Sequence, residues 1–444
     1  MAVLKALGGT SDILAPESRT WQRLENEARQ VLELYGYEEI RTPLIEEAAV
    51  FTRSLGEAAE IVTKQMYLFQ DRGGRSVALR PEGTASVVRA FIEHGLDKTA
   101  GLSRLYYLGP MFRAERPQAG RRRQFHQLGV EMFGSASPYQ DVEVIALLME
   151  MLRELGVKVA GGPGDEKAAV LKLNHLGCLK CRPEWLKNLK EYFKERLGVL
   201  CEDCKVRFRT NPLRILDCKK ERCHNIARER IAPSHRLCDS CRRHADQVKE
   251  TLWPKDDSCE TSSKRKVYFD WDNWLVRGLD YYTGTVFEVI HTGLGEKAQS
   301  AIAAGGRYDD LVREMGGVAT PAVGFAVGLE RILMVQEKAA PSLAPPGSAE
   351  VFVATFSSQE IPQGMELARD LRTGKISSIA NLEDRPLKRQ FEQADKLGVR
   401  FTLILGPDEL KDGFVTVKEM ATGQQRQVPK GDLLQELRRG VKGE

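Results

Sequence analysis

The first regular pattern of apolar and polar positions lies near the start of the chain. Apolar residues recur at three- and four-residue spacing from Trp21 to Leu32, and Gly36 follows at a position where a helix can end. This spacing places the apolar side chains on one face of a helix, and glycine is a common stop signal. The pattern therefore predicts an amphipathic helix over residues 21–34.

Between Leu105 and Val130 the pattern changes to two strand-like runs, separated by the polar stretch Arg116 to Arg121. This stretch contains a proline and a glycine, which favour a change of chain direction. We therefore predict a long-looped antiparallel hairpin.

The second strand of this hairpin carries polar groups on one face. Side chains alternate between the two faces of a strand, so Phe125, Gln127, Gly129 and Glu131 share one side. The glycine leaves a gap between the two polar side chains, where a small polar ligand could lie against the sheet. A solvated sheet face with a bulge at the glycine is the alternative interpretation.

Short strands and glycine turns are predicted again between Leu275 and Arg331. The pairs Gly305–Gly306 and Gly316–Gly317 are interpreted as turns, where the backbone can approach a ligand closely. Residues 323–331 predict a buried strand that runs into a helix.

Strand-like and helix-like runs alternate in the last part of the chain. Residues 351–355 and 401–405 have the composition of strands, whereas residues 365–371 and 387–397 have helical spacing. This alternation predicts an α/β unit whose strands are at least partly parallel.

A chain of 444 residues exceeds the size at which one hydrophobic core usually stops growing, so two or three domains are expected. All nine cysteines fall within residues 174–266, and residues 338–348 have the prolines and small residues of a semi-rigid linker. We predict a larger domain of residues 1–173 and 267–337, interrupted by a cysteine-rich insertion domain of residues 174–266. After the linker, a separate domain comprises residues 349–444.

Composition narrows the class of protein. Hydrophobic residues make up 42% of the chain and charged residues 29%, which excludes a disordered or fibrous class. The 66 basic and 62 acidic residues are too balanced to indicate nucleic-acid binding by themselves. No signal-peptide pattern begins the chain and no apolar run is long enough for a bilayer, so we expect a cytoplasmic protein without a membrane partner.

Two arginines are the first candidates for chemistry. Arg113 ends the first hairpin strand, and Arg277 belongs to the run Leu275–Tyr282, which joins a cation, an acid and two phenols that are costly to bury unpaired. A guanidinium keeps its charge and donates in a fork that suits phosphate oxygens. The motifs G-x-x-x-x-G-K-[ST] and G-x-G-x-x-G after a strand are absent, so any ATP site uses another design.

The pentad Arg80–Thr84 ends a predicted strand and opens a predicted helix. One interpretation makes Glu82 a carboxylate that receives an ammonium group, with Thr84 beside it. The ordinary interpretation is a helix start that Thr84 caps.

The cysteines of the insertion form four close pairs and leave Cys259 over. Paired thiols at this spacing in a cytosolic chain favour zinc over disulfides. Two four-cysteine zinc sites are possible, and His224, His235 or His244 could substitute for a cysteine. A reduced-thiol insertion without metal is the alternative. The candidate ligands are Cys178, Cys181, Cys201, Cys204, Cys218, Cys223, Cys238 and Cys241.

Basic residues are frequent in the insertion, as at Lys205, Arg207, Arg209, Arg242 and Arg243. Such residues could contact the phosphate backbone of a nucleic acid.

As an ordered set, these segments resemble the histidyl-tRNA synthetase family of class II aminoacyl-tRNA synthetases. The resemblance extends over nearly the whole chain. The segments that carry it are Gly9–Leu14, Arg80–Thr84, Gly109–Arg113, Glu115–Arg121, Arg123–Gln127, Leu275–Tyr282, Ala304–Asp309, Gly324–Arg331, Leu387–Gln390 and Ala394–Lys396.

The resemblance implies an α+β fold with a six-stranded antiparallel class II catalytic core and a C-terminal α/β anticodon-binding domain. It also implies a homodimer formed partly through the region around Pro43. The expected reaction joins L-histidine and ATP, with Mg²⁺, to histidyl-adenylate and diphosphate, and then transfers histidine to the 3′ end of its tRNA with release of AMP.

The resemblance further assigns roles to individual residues. Glu82, Thr84 and Gln127 would hold the α-amino group of histidine, while Glu131 and Tyr282 would contact the two ring nitrogens and Tyr281 would line the pocket. Arg113 and Arg277 would flank the α-phosphate, and Arg331 would meet the γ-phosphate. Arg116 and Gln118 would approach the acceptor end of the tRNA.

Two other classes of protein compete with this interpretation. A synthetase-like regulatory subunit of histidine biosynthesis would be expected to lack the anticodon domain and the Arg277 motif, and this chain has both. A zinc nucleic-acid-binding protein built on a synthetase scaffold would leave the complete set of pocket residues unexplained.

Overall fold

The computed structural model of the chain describes residues 3–56, 59–99, 101–115, 122–229, 237–253, 266–294, 300–339 and 349–441. These residues fall into two compact units. One comprises described residues up to 12 and from 23 to 339, and the other comprises residues 13–22 and 349–441.

The described residues contain fourteen α-helices and sixteen β-strands. In chain order, the helices are α1 (Glu17–Leu34), α2 (Ala48–Leu55), α3 (Thr84–Glu93), α4 (Pro138–Glu154), α5 (Arg182–Lys194), α6 (Glu202–Thr210), α7 (Glu221–Arg228), α8 (Asp239–Leu252), α9 (Leu311–Glu314), α10 (Leu329–Ala339), α11 (Ile361–Thr373), α12 (Leu387–Leu397), α13 (Pro407–Asp412) and α14 (Leu433–Val441). The strands are β1 (Glu38–Glu39), β2 (Ile45–Glu47), β3 (Tyr67–Gln70), β4 (Ser76–Leu79), β5 (Ser103–Phe112), β6 (Gln124–Phe133), β7 (Ala169–His175), β8 (Phe269–Trp271), β9 (Thr283–His291), β10 (Ala301–Arg307), β11 (Ala322–Gly328), β12 (Val351–Thr355), β13 (Ser378–Ala380), β14 (Phe401–Leu405), β15 (Phe414–Glu419) and β16 (Gln425–Pro429).

The predicted first helix is confirmed and begins four residues earlier than expected, at Glu17. Its predicted apolar positions are buried, as at Leu24 and Leu32. No helix among the described residues is long and apolar enough to cross a membrane.

The larger unit is organised around an eight-stranded sheet in the order β1-β5-β6-β11-β10-β9-β7-β8. The six strands from β5 to β7 in this order pair antiparallel throughout, while β1 and β8 add to the two edges as parallel strands. The predicted antiparallel core is therefore confirmed.

The predicted hairpin supplies the second and third strands of this sheet. Strands β5 and β6 pair from Ser103 opposite Phe133 to Phe112 opposite Gln124. Its loop, residues 116–121, lies outside the described residues and includes the candidate tRNA contacts Arg116 and Gln118.

The predicted turn at Gly305–Gly306 is wrong, because both glycines lie inside β10. A Cβ added to Gly305 would lie 2.2 Å from the backbone oxygen of Gly324 on β11 and 2.6 Å from the Phe287 ring. Glycine is needed here because the backbone and a buried ring approach it closely. Gly316, in contrast, does lie in a turn with a φ of +97°.

Helices α5 to α8 of the cysteine-rich segment are part of the larger unit. Trp185, Leu189 and Phe193 of α5 belong to the same buried apolar cluster as Phe51 and Phe91. Because one continuous core joins them, the insertion and the sheet domain stabilise each other.

A buried polar network also ties the insertion to the sheet domain. Asp141 of α4 forms an ion pair with Arg307 of β10 at 2.6 Å and accepts a hydrogen bond from Thr285 at 2.9 Å. His244 of α8 contacts the same carboxylate. Such a network is stable only when its members are paired, so it fixes α8 against the sheet.

The C-terminal strands form a sheet in the order β13-β12-β14-β15-β16. Strands β13, β12 and β14 are parallel, and β15 and β16 continue antiparallel. This arrangement confirms the predicted α/β unit with partly parallel strands. Buried Gln390 of α12 fixes a loop beside the sheet, since its amide donates to the carbonyl oxygens of Thr355 at 2.8 Å and Arg385 at 2.7 Å.

Candidate active site

One cavity of about 250 Å³ lies on the sheet of the larger unit, beside β6, β10 and β11. The structure brings together in its lining all nine of the residues that the sequence assigned to histidine and ATP. These residues are Glu82, Thr84, Arg113, Gln127, Glu131, Arg277, Tyr281, Tyr282 and Arg331. They come from segments almost 250 residues apart in sequence, so the fold creates the cluster.

The start of α3 positions the first carboxylate. Glu82 accepts hydrogen bonds from the backbone N–H groups of Thr84 at 2.8 Å and Ala85 at 2.9 Å. The alternative prediction that Thr84 caps this helix is therefore wrong, because Glu82 satisfies the free donors instead. Burial raises the pKa of Glu82, while the two backbone hydrogen bonds lower it, and the net shift is upward.

Thr84 is the first residue of α3, and its hydroxyl points to the second carboxylate. It donates to Glu131 Oε1 at 2.7 Å. The other oxygen of Glu131 accepts from the hydroxyl of Tyr308. Burial raises the pKa of Glu131 to about 8, against the opposing effect of these two hydrogen bonds. Tyr308 is a site residue that the sequence interpretation did not single out.

Three glycines leave room for two buried side chains of the cavity, Glu131 and Tyr107. A Cβ added to Gly324 would lie 2.1 Å from Glu131 Oε2, so only glycine accommodates the carboxylate. Added Cβ atoms at Gly83 and Gly129 would lie 2.3 and 2.2 Å from the ring of Tyr107. The gap predicted at Gly129 is therefore filled by a phenol ring rather than open to a ligand.

Arg113 lies where β5 ends. Its Nε donates to the carbonyl oxygen of Pro81 at 2.9 Å, and its guanidinium carbon lies 5.0 Å from the centre of the Phe125 ring. These contacts orient the planar group. A guanidinium held in this way retains its charge for an anionic ligand.

Arg277 is held from a different side of the cavity. Its Nη1 donates to Glu288 of β9 at 2.9 Å. Burial is the largest single effect and lowers the pKa of Arg277. The charge and hydrogen bond of Glu288, together with the electrostatic effects of Tyr282 and Asp217, outweigh it, and the net shift is upward. Glu288 also lines the cavity and was missed by the sequence interpretation because nothing local links it to Arg277.

Two buried polar atoms of the site have no hydrogen-bond partner among the described residues. They are Nε of Arg277 and Oε1 of Gln127. Buried polar atoms are nearly always paired in folded proteins. A donor and an acceptor left open in one cavity therefore favour a polar ligand that completes them.

The start of α10 contributes the last cation. The guanidinium of Arg331 donates to the carbonyl oxygen of Ala301. Its neighbour Glu330 accepts from the backbone N–H of His126 at 2.9 Å and lies 3.0 Å from Nδ1 of the same histidine. Glu330 therefore connects α10 to β6, and the sequence interpretation had given it no role.

The eight cysteines of the four predicted pairs form two clusters among the described residues. We call Cys178, Cys181, Cys238 and Cys241 the first cluster and Cys201, Cys204, Cys218 and Cys223 the second cluster. None of the eight is in a disulfide.

Distances between the sulfur atoms suit a metal. Cys178 Sγ lies 3.9 Å from Cys181 Sγ and 3.8 Å from Cys238 Sγ, and Cys201 Sγ lies 3.9 Å from Cys218 Sγ. Tetrahedral zinc with bonds of about 2.3 Å to sulfur requires sulfur separations of about 3.8 Å. The geometry therefore fits zinc in a four-thiolate site.

Of the histidines proposed as substitute ligands, His224 and His244 do not belong to either cluster. His244 is paired with Asp141, and both clusters are complete with four cysteines. His235 and Cys259 lie outside the described residues.

Comparisons with known proteins agree with this geometry. The family profile described as Histidyl-tRNA synthetase matches residues 9–161 and 227–332, and the profile of the anticodon binding domain matches residues 350–440. The histidine–tRNA ligase of Desulforamulus reducens is 45% identical over 426 residues, which cover 96% of this chain and 97% of the relative.

Two further histidyl-tRNA synthetases also match nearly the full length of this chain. The histidine–tRNA ligase of Thermosipho melanesiensis is 42% identical over 96% of both chains. Among solved structures, the apo histidyl-tRNA synthetase of S. aureus superposes with a TM-score of 0.77 at 32% identity, over 98% of this chain and all of the other.

Proposed function

The chain belongs to the histidyl-tRNA synthetase family and ligates histidine to tRNA, and from that premise we propose how its cavity carries out the first step. The proposal is that histidine and ATP react in the cavity on β6, β10 and β11 without a general acid or base. The observation that carries it is the convergence of two buried carboxylates with Arg113, Arg277 and Arg331 in that one cavity.

Histidine would be held by two sets of groups. Glu82 and Gln127 receive the α-amino group, with Thr84 beside them. Glu131 and Tyr282 contact the ring nitrogens, and Tyr281 packs next to Tyr282 with ring centres 4.6 Å apart. A buried site built to hydrogen-bond an imidazole rejects apolar analogues because they leave its polar groups unpaired.

Arg113 and Arg277 would flank the α-phosphate, and Arg331 would meet the γ-phosphate. Attack of the histidine carboxylate on the α-phosphorus moves charge onto the phosphoryl oxygens. Fixed guanidinium groups stabilise that charge, because they are already oriented before the reaction. Magnesium bound with ATP supplies further positive charge, and Glu115 and Glu288 are the cavity carboxylates that could hold it.

The experiment that tests this proposal is amino-acid-dependent exchange of labelled diphosphate into ATP, measured without tRNA on a panel of amino acids. We expect exchange with histidine and none above background with apolar amino acids of similar size. A folded protein without histidine-dependent exchange would instead support a regulatory subunit or a nucleic-acid-binding role.

The space at Gly324 supplies a further prediction. Gly324→Ala should raise KM for histidine by about tenfold or more, because the added Cβ displaces the Glu131 carboxylate from its position. The matched control is Gly162→Ala, since a Cβ at that position meets nothing within 4 Å. Equal KM values for the two variants in the exchange assay would contradict the role of Glu131.

We also propose that each cysteine cluster holds one structural zinc ion. The support is the closed set of four thiolates at tetrahedral separation, typical of structural rather than catalytic zinc. The ion would fix the helices of the insertion, since metal binding of this kind contributes directly to folding free energy.

Metal analysis tests this proposal. Purified protein should contain about two zinc ions per chain, and Cys204→Ser should lower the content to about one and decrease the melting temperature. Cys259→Ser, which changes the one cysteine outside the clusters, should leave both values unchanged. Protein that is folded and free of metal would show that the thiols are simply reduced.

The remaining proposals concern partners. We propose a homodimer formed partly through the region around Pro43, supported by exposed apolar side chains in the sheet β2-β4-β3 and just before it. These are Leu44, Ile45, Leu68 and Phe69.

The C-terminal unit would bind the anticodon of histidine tRNA, and Arg116 and Gln118 would approach the acceptor end of this tRNA. Because this tRNA serves translation, we place the enzyme in the cytoplasm.

A further inference from the structure

The segment from Arg277 to Tyr282, which carries the catalytic arginine and both pocket phenols, has no helix or strand of its own. Its backbone carbonyls therefore lack the partners that secondary structure supplies. Buried backbone groups need hydrogen-bond partners. In a segment without regular structure, other parts of the protein must supply these partners, and they thereby fix the position of the segment.

Three side chains of the cysteine-rich insertion contact this segment, two of them at backbone carbonyls and one at the Asp280 carboxylate. Arg182 Nη2 donates to the carbonyl oxygen of Tyr282 at 2.5 Å. Arg214 Nη1 donates to the carbonyl oxygen of Gly278. Asn211 Nδ2 donates to Asp280 Oδ1 at 2.7 Å. The insertion therefore holds this segment at its beginning, middle and end.

The burial of these arginines distinguishes them from the exposed basic residues of the insertion. The side chain of Arg214 is only 12% exposed. Burial lowers the pKa of both Arg182 and Arg214. Exposed cations suit a nucleic-acid backbone, whereas these two are turned inward and donate to the protein itself.

The residues that make these contacts lie close in sequence to the cysteines of one cluster or the other. Arg182 directly follows Cys181 of the first cluster and begins α5. Asn211 and Arg214 lie between Cys204 and Cys218 of the second cluster. Asn211 is fixed further because its side chain accepts from the backbone N–H of Leu213 at 3.1 Å. A rigid support of this kind is what a precise site requires.

We propose that the insertion is a positioning element for adenylate formation, in which Arg182, Asn211 and Arg214 hold the Arg277–Tyr282 segment in its reactive geometry. The inference rests on the function proposed above for this cavity. It assigns the insertion a role in the step that precedes any contact with tRNA. The three residues are positioning residues, because they act through the segment and do not line the cavity among the residues described.

The two ends of the segment should respond differently. Arg182 holds the backbone of Tyr282, so its loss should weaken the histidine pocket and raise KM for histidine. Arg214 holds Gly278, next to Arg277, and Asn211 holds Asp280 in the middle of the segment, so their loss should mainly lower kcat. A displacement of about 1 Å at a reacting group costs on the order of 100-fold in rate.

The experiment measures histidine-dependent diphosphate exchange of the full chain in the absence of tRNA. The variants are Arg182→Met, Arg214→Met and Asn211→Asp, which keeps the acceptor for Leu213 but places a carboxylate opposite Asp280. The matched control is Arg222→Met, which removes an exposed arginine of α7 in the same insertion. Zinc content and melting temperature are measured on every variant.

We expect Arg182→Met to raise KM for histidine about tenfold, and Arg214→Met and Asn211→Asp to lower kcat by about 10- to 100-fold. Arg182→Lys and Arg214→Lys should recover most of the loss, since one N–H donor is enough for each carbonyl. If a methionine variant does not fold, the exchange kinetics of the corresponding lysine variant are measured instead.

Normal exchange in the folded variants, with a defect only in the transfer of histidine to tRNA, would overturn the inference and leave the insertion a tRNA contact. The inference would also be overturned if all three variants showed the same decrease in kcat and the same increase in KM, and if the lysine variants recovered neither value. Absence of exchange in both the unaltered protein and Arg222→Met would contradict the proposed function itself, and this inference with it.

Discussion

Replacement of Arg277 by glutamine should lower kcat for histidine-dependent diphosphate exchange by about 100- to 1,000-fold and leave KM for histidine within about threefold. Glutamine retains a hydrogen-bond donor but removes the positive charge. The charge matters most in the transition state, when negative charge accumulates on the phosphoryl oxygens. Steady-state exchange kinetics at saturating ATP measure the effect.

The pairing of Arg277 with Glu288 requires a control, because the substitution leaves a carboxylate without its partner. Arg277→Gln combined with Glu288→Gln removes both charges and should remain as slow as the single variant. Recovery of the rate in the double variant would show that the uncompensated carboxylate, and not the missing cation, caused the loss. Exchange close to normal in Arg277→Gln would contradict the assignment of this residue.

Glu131→Gln should decrease kcat/KM for histidine by about 100-fold or more, because the site loses its anionic acceptor for the ring. Burial raises the pKa of Glu131 to about 8 in the free enzyme. Below that pH the carboxyl must lose its proton before it accepts from the imidazole. In the unaltered enzyme kcat/KM should therefore rise between pH 7 and about pH 8, and in Glu131→Gln this rise should be absent.

The same group gives an opposite effect on stability. The folded chain binds the Glu131 proton more tightly than the unfolded chain between the ordinary pKa of 4.5 and about 8, so the free energy of unfolding falls as pH rises through this interval. Glu131→Gln should therefore be more stable than the unaltered protein at pH 8 in denaturant titrations. A variant that is less stable there would contradict the burial of an ionisable carboxyl at this position.

Regular elements could be predicted well where the chain carries a local periodic signal. Helix α1, the β5–β6 hairpin and the strand-to-helix passage at Gly328 follow directly from the spacing of apolar residues. The fold class of the catalytic core was predicted by resemblance, since antiparallel pairing between distant strands leaves no local trace. The cysteine clusters were also predictable, because the spacing within each pair is local.

The failures have a common physical origin in contacts between distant segments. Tyr308 reaches Glu131 from 177 residues away, and no spacing rule links the two. Gly305 resembles a turn residue in sequence. In the structure it lies within a strand, where its lack of a side chain allows β11 and the Phe287 ring to pack closely against it. The role of Gly324 likewise becomes visible only when Glu131 lies opposite it.

The attachment of the insertion shows the same limit. Arg182 and Arg214 resemble the other basic residues of their segment, and composition alone groups them with the solvated charges. Only the fold shows that their donors reach the backbone of a segment some 65 to 100 residues away. The sequence therefore predicted residues that line the cavity, whereas the structure shows which side chains hold them.

In the proposed reaction, Arg113 and Arg277 lie on two sides of one α-phosphate while Glu131 and Tyr282 contact the ring of histidine. A crystal structure with a non-hydrolysable sulfamoyl analogue of histidyl-adenylate measures these positions directly. We predict that the sulfonyl oxygens, which replace those of the phosphate, lie within hydrogen-bond distance of both guanidinium groups, and that the imidazole lies between Glu131 and Tyr282. An analogue bound with its sulfonyl group away from Arg277, or with its imidazole outside this pair, would contradict the account.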